Sequence, residues 1–98
     1  MILARVLLVR SWTHELAPIV ATLQAAGIEP AITQIDREPA LNAALSRDRF
    51  DVVIVDPTAL PRTVVDQCLR ANARALPIVE VCADLGDEVR RALQRDHV

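Results

Sequence analysis

Short unbroken runs of aliphatic residues alternate along this chain with stretches in which apolar residues recur every three or four positions. Arg5–Val9 (RVLLV) is apolar without interruption, the pattern of a strand covered on both faces. In the segment from Leu16 to Glu29, residues Leu16, Ile19, Val20, Leu23 and Ala26 fall at helical spacing, and Gly27 supplies a stop. Pro18 belongs in a first turn, so the regular helix starts near it. Ala31–Ile35 alternates and predicts a more exposed strand, and Pro39–Asp48 carries an Ala/Leu stripe behind an early proline, a short helix. Asp51–Val55 is the most apolar strand and is expected at the centre of the sheet. Arg62–Arg74 places Val64, Val65, Cys68 and Leu69 on one helical face, with Asp66, Arg70 and Arg74 as a solvated stripe. Leu76–Ala83 is a fourth strand, and Gly86–Asp96 a last helix with a thin stripe of Val89, Ala92 and Leu93.

Strands joined by helices pair in parallel through right-handed crossovers. The pattern therefore predicts one α/β domain over residues 1–98, a doubly wound sheet with helices on both faces. Function in such sheets gathers at the carboxyl ends of the strands. Those ends are Arg10 and Ser11, Asp36, Asp56, and Cys82 to Asp84.

Composition narrows the classes of function. Apolar residues make up 52% of the 98 residues and charged ones 24%, as in a folded globular domain. The aromatics are Trp12 and Phe50, so the core is aliphatic. A net charge of −2 provides no basic excess for phosphate backbones, and two aromatics provide no stacking platform, so no nucleic-acid partner is expected. No apolar run approaches the ~18–20 residues of a membrane span, and the opening MILARVLLVRSW lacks the features of a secretory signal. Cys68 and Cys82 form no metal-binding or disulfide spacing and are expected as two buried, reduced thiols of a cytoplasmic protein.

Phe50–Pro61 (FDVVIVDPTALP) runs a buried strand straight into Asp56. With RVLLV, LQAAGIE and LPIVEVCAD in this order and spacing, the chain resembles the receiver domain of response regulators over nearly all its length. The resemblance implies a flavodoxin-like, receiver-like (βα)4 sheet of strand order 2-1-3-4, cut off before the family's fifth strand. It makes Asp56 the counterpart of the phospho-accepting aspartate. Three features depart from the family. The two acidic residues that hold Mg²⁺ in receivers are replaced by Arg10 and Ser11. The hydroxyl residue that reads the phosphoryl group is replaced by Cys82, a weak hydrogen-bonding group. The family's lysine is missing, for the chain has no lysine at all, and the loop before Pro61 is one residue longer than the family pattern.

The residues leave several roles open. In strand order 2-1-3-4 the first and third strands are neighbours, so Arg10 can pair with Asp56. Asp56 can equally cap its own loop. The resemblance implies the third role, phosphoacceptor. His14 can be imagined as a metal ligand near Asp56 or Cys82, although a lone histidine at a helix start is more simply an exposed or capping residue. Only two glycines occur, Gly27 and Gly86, so no phosphate-cradling loop or dinucleotide fingerprint exists, and no nucleophile has a histidine base at a telling spacing.

The expectation is therefore not an enzyme. It is a degenerate receiver, or pseudo-receiver, acting as a signalling or protein-interaction module of a two-component or related system. It needs no cofactor or metal, with Mg²⁺ only if Asp56 is a genuine phosphoacceptor. A small-molecule-binding flavodoxin-like domain is the third class. The expected interaction surface is the open fourth strand, Ile78, Val79, Glu80 and Val81, facing a protein partner, further domains of a longer regulator, or a second copy in a homodimer.

Overall fold

The computed structural model describes residues 1–95. Its elements run β1 (Ile2–Val9), α1 (Ala17–Ala25), β2 (Ile28–Ile35), α2 (Glu38–Arg47), β3 (Val52–Val55), α3 (Arg62–Ala71), β4 (Ile78–Glu80) and α4 (Leu85–Arg95). The four strands form one parallel sheet in the order β2-β1-β3-β4. Asp96, expected to close the last helix, lies outside the described residues. None of the described helices is long and apolar enough to cross a membrane.

Side chains alternate across the sheet and build two aliphatic cores. Ala4, Val6, Leu8, Val52, Ile54 and Val79 face α1 and α4, which contribute Ile19, Leu23, Leu85, Val89 and Leu93. Leu7, Val9, Val53 and Val55 face α2 and α3, which contribute Leu41, Leu45, Val65, Cys68 and Leu69. All four residues of β3 are fully buried, as their unbroken β-branched run predicts.

Several element ends differ from the sequence pattern, each for a local reason. β1 and β2 begin earlier, because Gly27 at φ 82° turns the chain so that its carbonyl accepts the Ile2 N–H at 2.8 Å. Pro30 is tolerated inside β2 because that strand is an edge. Asp51 falls outside β3, and its carboxylate instead accepts the Arg5 N–H at 2.8 Å. α3 ends before Ala73, whose φ of 54° is left-handed. Arg74 leaves the solvated stripe and donates to the carbonyls of Leu45 and Asp48, tying the turn to α2, whereas Asp66 and Arg70 keep an exposed ion pair at 3.1 Å. β4 has three residues rather than eight, since its partner β3 has only four to pair with and Pro77 brings no N–H. Cys68 is buried as expected, but Cys82 is exposed on the loop after β4, where no strand covers it.

The placement of α4 determines which side of the sheet stays open. Helix α3, which carries the chain from β3 outward to β4, lies on the α2 face. A further crossover of the same hand toward a strand outside β4 would lie on that face too. Helix α4 instead packs on the opposite face, beside α1. Gly86 makes this close approach possible: a Cβ there would stand 2.9 Å from both the Ala26 Cβ and the Thr22 carbonyl oxygen.

Helix propensity alone would make Gly86→Ala stabilising by up to ~1 kcal/mol. The contact predicts the opposite sign, a loss of about 1–2 kcal/mol from overpacking. Urea unfolding decides it: a raised midpoint would mean that α1 yields and the close approach is not required.

Candidate functional site

Parallel pairing of β1 with β3 sets Val9 opposite Val55, so the next residues, Arg10 and Asp56, emerge side by side. Backbone bonds fix both ends: Arg10 N–H donates to Ile35 O at 3.0 Å, and Asp56 N–H to Val9 O at 2.8 Å. Arg10 Nε stands 3.7 Å from Asp56 Oδ2, with the two side chains only 16% and 14% exposed. Arg10 Nε and Nη1 are buried without a hydrogen-bond partner among the described residues, so the contact is one of charge rather than a hydrogen bond.

The other carboxylate oxygen serves the loop. Asp56 Oδ1 accepts the Thr58 N–H at 3.0 Å and the Thr58 hydroxyl at 2.7 Å. Pairing and capping, alternatives in the sequence, are therefore both made, one by each oxygen. Burial pushes the Asp56 pKa up, but the Thr58 hydroxyl and N–H, then the Arg10 guanidinium and His14, outweigh it and hold the carboxyl below its ordinary value. Asp56 is a carboxylate at neutral pH.

Ser11, Cys82 and Asp36 do not join this pair. The Ser11 hydroxyl shares a hydrogen bond with that of Thr13 at 2.9 Å and accepts the Thr13 N–H, so it is spent within its own turn. Gln34 Nε2 reaches the carbonyls of Arg10 and Ser11 and steadies that turn. Cys82 lies on the rim of a different feature, and Asp36 pairs with neighbouring Arg37 at 4.0 Å. Among the described residues no three His, Cys, Asp or Glu side chains converge as metal ligands. The oxygen set that Mg²⁺ requires is not assembled around Asp56, and a guanidinium stands beside its free oxygen.

A second feature lies along β4. Ile78, Val79, Glu80 and Val81 line a groove of about 810 Å³ together with Cys82, Arg62 of α3, and Glu88 and Ala92 of α4. Glu80, part of the expected interaction surface, faces Arg62 at 3.8 Å. Sequence reasoning did not single out Thr58, Arg62, Glu88 or Trp12. Thr58 was legible, since Asp-Pro-Thr is a pattern for side-chain capping of a turn. Trp12, 64% exposed among polar loop residues, stood out only as a lone aromatic.

A four-stranded parallel sheet of order 2-1-3-4, with helices on both faces and an aspartate at the end of its third strand, is a receiver-like α/β fold. The comparison with solved structures agrees. The chain is similar to the receiver domain of the sensor histidine kinase PA1611 from Pseudomonas aeruginosa PAO1, a structure with a magnesium ion coordinated in its active-site cleft. The TM-score is 0.60 at 21% identity, over 94% of this chain and 77% of that one. No family model matches the sequence, and no curated protein matches it.

The charge contact predicts that Arg10→Ala and Asp56→Ala are non-additive by at least ~0.5 kcal/mol in urea unfolding at pH 7. Because the folded pKa of Asp56 lies below the unfolded value, its contribution is present above the ordinary aspartate value of about 3.9 and is lost as pH falls through the folded one. Additive losses at pH 7, or a coupling that persists in full once the carboxyl is protonated, would show the two groups to be independent.

Proposed function

We propose that the chain is a degenerate receiver, a signalling or protein-interaction module of a two-component or related regulatory system, with no catalysis and no cofactor of its own. The single observation that carries this reading is the Arg10 guanidinium held 3.7 Å from Asp56. Phosphoryl transfer to a carboxylate requires charge on the incoming group to be neutralised by a metal and a cation. The receiver of similar fold carries magnesium in its cleft. Here one Asp56 oxygen is taken by Thr58, and the other faces a fixed positive charge. Thr58 and Arg10 together hold Asp56 ionised without a metal, and the guanidinium stands beside the oxygen that Thr58 leaves. Opposite charges at ~4 Å gain roughly 4 kcal/mol at an effective dielectric of 20, before desolvation is subtracted.

One observation favours the phosphoaccepting alternative: Asp56 is an ionised carboxylate at the end of β3 in a receiver-like fold. The two readings separate in one experiment. Intact mass is measured after incubation with acetyl phosphate and Mg²⁺, and the expected result is no change. A gain of one phosphoryl group that Asp56→Asn abolishes would establish the alternative. The reading also predicts that Arg10→Asp with Ser11→Asp creates Mg²⁺ affinity that the unaltered chain lacks, as measured by calorimetric titration.

A further inference from the structure

The sheet leaves one set of backbone groups directed away from it at β4. The Pro77 carbonyl accepts the Val53 N–H, and the Val81 N–H donates to the Val55 carbonyl, both at 2.9 Å. Backbone groups alternate in direction along a strand, so with Pro77 and Val81 turned toward β3, those of Ile78 and Glu80 point outward. Among the described residues no strand lies on that side. Two donors and two acceptors therefore line the floor of the 810 Å³ groove.

The walls of the groove decide what fits it. Arg62 stands on the α3 side, and Glu88 and Ala92 stand on the α4 side, so the floor is reached between two walls. A single extended segment can enter such a groove. A second copy of this sheet edge is walled in the same way and would bring its own α3 and α4 against these. Nor is the groove shaped for a parallel strand led in by α4, because that helix lies on the α1 face and the crossover would have the disfavoured hand.

The side chains set the chemistry of the segment. On the α4 side it would meet Val79, Val81 and Ala92, and on the α3 side Ile78 and the Glu80 carboxylate. Glu80 holds Arg62 only at 3.8 Å, with both side chains about half exposed, whereas Glu88, on the α4 side, is already bonded to Arg91 at 2.8 Å. An apolar face suits the first side; on the second, a basic residue directly across the strand from Glu80 pairs with it, whereas an acidic one there would meet like charge.

From these observations we infer that the β4 groove binds an extended, alternating apolar and basic segment of another polypeptide as a fifth strand. Backbone bonds to Ile78 and Glu80 hold it, as in other cases of strand addition. The inference does not rest on the state of Asp56 and goes beyond the reading of the cleft, so acetyl phosphate labelling and strand binding can fail independently.

The test uses the full chain and a labelled seven-residue peptide alternating valine and lysine, followed by fluorescence anisotropy at an ionic strength of about 0.15 M. Saturable binding is expected. It should be lost for the valine–glutamate peptide, for the valine–lysine peptide N-methylated at every amide, and for the Glu80→Lys chain. Absence of saturable binding by the parent peptide overturns the proposal. So does undiminished binding of the N-methylated peptide, which would mean charge attraction without a backbone ladder. Light scattering over a concentration series supplies the last outcome: a dimer that excludes the peptide and that Glu80→Lys dissociates assigns the groove to a second copy and overturns it likewise.

Discussion

The parallel pairing of β1 with β3 is the constraint on which the rest depends. Val6–Val9 and Val52–Val55 are all fully buried, and each pair in register sends its side chains into one of the two cores. A slip of one residue would turn every core side chain of a strand to the other face, so the register is strongly specified. Arg10 and Asp56 meet because they are the first residues beyond that ladder, on strands held side by side by burial. The charge contact is a consequence of hydrophobic register. Its partial desolvation makes it a poor source of stability but a durable feature of the cleft.

Helix α4 converts the same sheet into a shape with an open side. It buries Leu85, Val89, Ala92 and Leu93 against the α1 face, and Gly86 lets it sit against Thr22 and Ala26. That choice of face uses the apolar stripe of the helix without extending the sheet. It leaves β4 with β3 on one side and a walled groove on the other. Three residues, one of them Glu80 beside Arg62, form a short and charged edge of the kind that resists indiscriminate pairing. An edge guarded by charge and by walls is selective, because an entering segment must supply both the right backbone and the right side chains.

Much of this was legible in the residues. The buried strands showed as unbroken aliphatic runs, the edge strand β2 as an alternating one, and α1 and α3 by their spacing. Strand order then made Arg10 and Asp56 neighbours. What escaped depends on facts that a linear pattern does not carry. The length of β4 depends on the short β3 it pairs with, and the extension of β2 depends on the turn at Gly27. Arg74 looked like one member of a polar stripe, and only the docking of α3 beside α2 turns it toward Leu45 O and Asp48 O. The face chosen by α4 was also hidden, because Gly86 reads as a helix start until Thr22 and Ala26 stand 2.9 Å from where its Cβ would be.

The cleft and the groove differ in how far their polar groups are already satisfied. At the cleft one Asp56 oxygen accepts two hydrogen bonds and the other faces a cation, so an entering ligand must break or share contacts. At the groove the outward groups of β4 have no protein partner among the described residues, and a strand entering there exchanges water for backbone without breaking a backbone hydrogen bond. The physical case for recognition is therefore stronger at the strand edge than at the carboxylate the fold first draws attention to. The two places are nonetheless joined by one hydrogen bond: the Val81 N–H donates to Val55 O, and Val55 precedes Asp56. Adjacency of this kind is not coupling. Coupling would require β4 to have two arrangements that Arg10 and Asp56 distinguish, and the Val55–Val81 bond is where such a difference would have to pass.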